Sequence, residues 1–148
     1  IGPPVHQQGR GRNPLCGAAG DQGEISGRGQ QMRMEGDLST VLKTICVRTF
    51  PDVAPSGTVA PFIAWQLLGG ESQRALDNTA FDKRNSYVQV SVYSLTRAES
   101  LTKIRAAEEA MCASTAFTCI PMGEPLATYE PDTKLYGAIQ RFSIWAAR

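Results

Sequence analysis

Tyr87-Val-Gln-Val-Ser-Val-Tyr93 alternates without a break, with Val88, Val90 and Val92 on one side and Tyr87, Gln89, Ser91 and Tyr93 on the other. This is the period-2 pattern of a strand with one buried face. The spacing then changes. Thr96-Arg-Ala-Glu99 has the form of a capping box, in which a hydroxyl and a carboxylate satisfy amides left over at a helix start, so a helix is predicted from Arg97. Ala98, Leu101, Ile104, Ala107 and Met111 recur every three or four residues as its apolar stripe. Glu99 with Lys103, and Arg105 with Glu109, make i,i+4 pairs on its wet side. Such a stripe needs a sheet face to cover, and the valine ladder is the nearest.

Elsewhere the same two periods are shorter. Asp37 reads as the N-cap of a first helix carrying Leu38, Val41, Leu42 and Ile45 and running to about Thr49. Phe50-Pro51 stops it, because proline cannot donate an amide and disfavours helical geometry in the residue before it. After a loop set by Pro51, Pro55, Gly57 and Pro61, Phe62 to Leu68 reads as a strand with Ile63 and Trp65 on one side and Phe62 and Ala64 on the other. Gly69-Gly70 ends it. Glu71 to Asn85 is a long polar hairpin connection in which only Leu76 and Phe81 are large and apolar, and connections of this length are often functional. Phe117 to Met122, Leu126 to Tyr129 and Leu135 to Trp145 complete the extended segments, with Phe142 and Ile144 assigned to the core. The sum is an α+β fold: a mostly antiparallel sheet of about four to five strands with two helices packed on one face.

Composition adds boundaries rather than chemistry. The 148 residues are 42% hydrophobic and 20% charged, with a formal net charge of +1, so no field of one sign is available to steer nucleic acid or anionic lipid. No apolar run approaches the ~18 residues a spanning helix needs, and no compact apolar signal region opens the chain, so a soluble intracellular product with no membrane partner is expected. Residues 1–33, rich in Gly, Gln, Pro and Arg, read as a disordered or non-native tail ahead of a single domain over 34–148. The chain opens on Ile1, and Met32 and Met34 stand where ordered composition begins, so the tail is expected to be vector-derived or translated from upstream of the natural start. A flexible arm that orders on a partner is the alternative.

Candidate chemistry is sparse. Cys16, Cys46, Cys112 and Cys119 form no C-x-x-C pair, and His6 lies in the tail, so neither a zinc set nor a cofactor site is expected. Cys46 and Cys112, near helix ends, read as small buried hydrophobes. Gly69-Gly70 precedes no helix and lacks the lysine-serine ending of a phosphate loop. No ordered histidine serves a serine or cysteine nucleophile, and Glu99, Glu108, Glu109, Asp77 and Asp82 read as solvated carboxylates. The residues point away from an enzyme. A small nucleic-acid-binding module of a prophage region, using Arg10, Arg12, Arg28 and Arg33 with exposed aromatics, is the alternative class.

Taken in order, the N-terminal helix, the strand Pro-Phe-Ile-Ala-Trp-Gln66, the strand Tyr87 to Tyr93 running into Thr96-Arg-Ala-Glu99, and the closing Leu-Tyr-Gly-Ala-Ile-Gln-Arg-Phe-Ser-Ile-Trp145 resemble the tail completion or tail terminator proteins of long-tailed phages and prophages. The resemblance covers roughly Met34 to Arg148. It implies a subunit that assembles with itself as a ring, commonly a hexamer, at the head-proximal end of the tail tube. Such a ring ends tube polymerisation and meets the head connector, in the virion tail and, during assembly, in the host cytoplasm. The implied partners are the tail tube protein and the head-tail connector protein. Arg74, Asp77, Lys83 and Arg84 are the contact candidates, chosen because mixed charges fix register more than affinity.

Overall fold

A computed structural model describes residues 33–148. The expectations for the tail, including His6, Cys16 and its first three arginines, lie outside the described residues. In chain order the elements are α1 (33–45), β1 (Thr49–Pro51), β2 (Phe62–Leu67), β3 (Lys83–Ser94), α2 (Arg97–Ala113), β4 (Thr118–Pro121), β5 (Leu126–Glu130) and β6 (Leu135–Ala147). The strands form one sheet in the order β1-β2-β3-β6-β4, with β5 also paired to β6. Every pairing is antiparallel except β1 with β2. The α+β fold is as the sequence predicts, with one strand more: Thr49, Phe50 and Pro51 pair with Ile63, Ala64 and Trp65 instead of ending a helix.

The valine ladder does meet the helix predicted for it. Val88, Val90 and Val92 are fully buried, beside Phe142, Gln140 and Ala138 of β6 on one flank and Leu67, Trp65 and Ile63 of β2 on the other. Ile104, Ala107 and Met111 of α2 and Met34, Leu38 and Leu42 of α1 close over this layer in one core. Each large side chain so buried contributes roughly 1.5–3 kcal/mol. Gln140 is the polar member: its amide nitrogen donates to Glu108 Oε2 at 2.8 Å and to the carbonyl of Gly123 at 3.0 Å. That ties α2 and the β4–β5 turn to the middle of β6.

The strand-to-helix corner shows the Thr96 half of the expected capping box, without the reciprocal bond from the Thr96 amide to the Glu99 carboxylate. Thr96 has an extended backbone and its side chain accepts the amide of Glu99 at 3.3 Å. Two serines support it from the buried side: Ser94 Oγ donates to the Thr96 carbonyl at 2.7 Å, and Ser100 Oγ to the Arg97 carbonyl at 2.9 Å. Ser100 therefore faces the core in place of Ala98, the position the stripe predicts, and Ala98 is exposed.

Other boundaries differ for local reasons. Asp37 is inside α1 and caps nothing at its start, because the apolar stripe reaches back a turn to Met34, which is 5% exposed. The helix also ends earlier, at 45, where Thr49 Oγ1 takes up the Cys46 carbonyl at 2.6 Å and turns the chain into β1. The preference of a pre-proline residue for extended geometry is realised at Phe50 as strand. Glu108 is half-buried against Gln140 rather than solvated, and Cys112 is exposed rather than buried.

Core and surface apolar positions should separate cleanly under urea. Phe142→Ala is expected to lower unfolding stability by about 3–5 kcal/mol, whereas Leu126→Ala, at a side chain that is 63% exposed, should change it by no more than about 0.5 kcal/mol. Equal midpoint shifts for the two variants would contradict this placement of the core.

Candidate functional site

Both helices lie on one side of the sheet, so the opposite side is laid out by pairing register alone. Residues directly opposite one another on neighbouring strands share a face. The first row across this open face is Phe62, Tyr93, Gly137 and Thr128, and the second is Ala64, Ser91, Ile139 and Leu126. Gln66, Gln89 and Arg141 form the third, and Tyr87, Ser143 and Ile120 the fourth. The rings of Phe62 and Tyr93 stack at 5.2 Å. Gly137 gives them room: a β-carbon there would stand 3.2 Å from Tyr93 Cε1 and 2.5 Å from Thr128 Oγ1. Burial, with the Glu130 charge second, pushes the Tyr93 phenol above its ordinary pKa.

At the end of the sheet where β3 begins and β6 stops, the 68–82 connection folds back onto the open face. Gly70 rests directly against the backbone of Asn85 and Ser86, leaving no space for a side chain, and Gly69 has a φ of +94°, so the glycine pair is accounted for without any phosphate. Asn85 anchors the segment just past this glycine. Its Oδ1 accepts the Glu71 amide at 3.0 Å and its Nδ2 donates to Ser143 Oγ at 2.8 Å. Tyr87 adds a second tie, its phenol donating to Glu71 Oε1 at 2.9 Å.

The four contact candidates do not form one cluster. Arg74 and Asp77 sit in a small turn of their own, closed by a bridge between Arg74 and Ala80. There the Arg74 guanidinium donates to the Asn78 carbonyl at 3.0 Å. Asp77 Oδ1 accepts the Thr79 hydroxyl at 2.6 Å and amide at 3.0 Å, in that order the reasons its carboxyl lies below the usual 3.8. Lys83 and Arg84 are the first residues of β3 rather than part of the connection. With Glu71, Gln73 and Arg148 they line a cleft of about 250 Å³. Phe81 and Trp145 flank it across a shallow depression shared with Gln73 and Lys83. Sequence pattern alone does not mark Arg148, Phe81 and Trp145 as members of this site, the one signal being a lone Phe in a polar stretch.

Chemically, this end joins three cations to the carboxylates of Asp82 and of Glu71, the latter already engaged by a phenol, next to two aromatic rings, on an open face of mixed aliphatic, aromatic and amide groups. It is suited to meeting another protein surface. The Glu71 carboxylate, first by its hydrogen bond, and then burial raise the Tyr87 pKa above 10.0. A raised folded value means that the contribution of this tie is fully present below pH 10 and is lost as pH rises through the folded pKa. Glu71→Ala should return the Tyr87 ionisation, followed by ultraviolet or NMR titration, toward 10.0; an unchanged midpoint would contradict the anchoring of the connection by this pair.

Comparison with known proteins gives three results. A chain from a solved structure described as "Virion of native gene transfer agent (GTA) particle" is similar at 16% identity and a TM-score of 0.48, over 73% of this chain and 85% of that one. No curated protein matches. Residues 30–147 match the family model "Tail completion protein gp17", and on a match over most of its length the chain belongs to that family, a structural component of phage tails.

Proposed function

We propose that this subunit closes the head-proximal end of a phage tail tube as a ring of identical copies, ending tube polymerisation and presenting a seat for the head connector. Membership of the tail completion family sets the frame. The observation that carries the reading is the one-sided sheet. Two helices bury one face, while the other leaves Ile120 and Leu126 more than half exposed beside the Phe62–Tyr93 stack. A face of this kind offers contact area and register to another protein surface.

In this reading residues 34–148 are the assembling unit and carry no active site, and the interface between copies is heterologous, closing by rotation into a ring, a hexamer by family expectation. Arg74, Asp77, Lys83 and Arg84 contribute orientation. The first two shape the tip of the 71–82 connection, and the last two meet a neighbour at its base, where opposed charges select alignment more than they add affinity. Tube and connector are the other partners, and the virion tail is the place of work, reached from the host cytoplasm.

Gold-labelled antibody against this chain, viewed on purified tails by electron microscopy, should mark one end only, the end that carries the head in intact particles. Uniform decoration along the tube would overturn the reading.

A further inference from the structure

α2 ends at Ala113 and β4 starts at Thr118, so the chain reverses within a few residues and brings β4 back alongside the last turn of the helix. Cys112 lies on that last turn, exposed to solvent, and Cys119 lies on β4 opposite Ile144, 9% exposed, on the sheet face that the helices cover. The Cys112 thiol donates to the backbone carbonyl of Cys119, with the sulfur 3.7 Å from the oxygen. Burial first, and then the Cys112 thiol, push the Cys119 thiol up to about 12. Cys46 is engaged elsewhere, donating to the Pro61 carbonyl at 3.2 Å.

We propose that Cys112 and Cys119 form a dithiol modification site that closes to an intramolecular disulfide by exchange with a small disulfide of the glutathione type. The Cys112 thiolate, the accessible one, attacks one sulfur of the oxidised reagent, forming a mixed disulfide and releasing one thiolate. The Cys119 thiol, passing its proton to the departing thiolate, then attacks the Cys112 sulfur, forming the internal bond and releasing the second reagent thiol. The protein gives up two electrons and two protons, and the reagent is reduced to two thiols. Burial keeps Cys119 from reacting first, which fixes the order.

The product would staple the end of α2 to β4, a strand at the edge of the sheet, and restrict the opening of that edge in the unfolded and partly open states. A tail component passes from a reducing cell interior to an oxidising exterior when particles are released, and that change of medium is the condition under which such a bond persists.

The full-length chain is incubated with excess oxidised glutathione, the remaining thiols are blocked, and the protein is digested without reduction for mass spectrometry. The expected result is a linked pair containing Cys112 and Cys119 in one chain, with no glutathione retained on either. Cys119→Ser should instead accumulate glutathione on Cys112. A wild-type chain that keeps glutathione on Cys112 with Cys119 free, that leaves Cys112 unreacted, or that links Cys112 between copies would overturn the proposal.

Discussion

All 12 residues of β3 are paired with β6, from Lys83 opposite Ala147 to Ser94 opposite Tyr136, and this one register decides which side chain belongs to which face across the whole sheet. A slip of β3 by a single residue would turn Val88, Val90 and Val92 outward and bring Tyr87, Gln89 and Ser91 under the helices, exchanging apolar for polar groups in the core. The remaining elements are arranged on this pair. β2 extends it on one side, β4 and β5 divide the length of β6 between them on the other, and α2 returns over the junction it has just left.

Because the pairing is fixed by the buried face, the open face is free to vary in chemistry. Cross-strand neighbours there contribute only roughly 0.2–1 kcal/mol each to the fold, so the Phe62–Tyr93 stack and the Ile139–Leu126 pair are better understood as contact surface than as core. The 71–82 connection is held to this face by Asn85 and by Tyr87 with Glu71, so its charged tip and basic base occupy definite positions. In the proposed reading, stability and assembly are carried by opposite sides of one sheet.

Much of this layout is legible in the residues. The valine alternation, the Thr96 N-cap, and the core positions of Phe142 and Ile144 each rest on a local pattern that the tertiary structure reinforces. Features set by distant partners are not legible in this way. Lys83, Arg84, Asn85 and Ser86 carry no apolar alternation, and they are strand because β6 continues beside them and Asn85 is bound on both sides. Glu108 looks solvated on a helical wheel and is drawn inward by Gln140, a residue more than thirty positions away. Cys112 looks buried from its place near a helix end, yet the stripe of α2 turns away from it. The candidate site suffers most from this. Arg74 and Asp77 stand out as charges in a polar loop, but Arg148 reaches the same region only through the β3–β6 register.

The central claim is that this protein acts through the sheet face left uncovered by its helices. Hydroxyl-radical labelling of the free protein and of assembled tails, read residue by residue, tests it most directly. Ile120, Leu126 and Phe81, which are 51%, 63% and 47% exposed in the free subunit, should lose most of their labelling on assembly, while Val47, 85% exposed just past the end of α1, keeps it. Unchanged labelling of the first three residues in assembled tails would contradict the account.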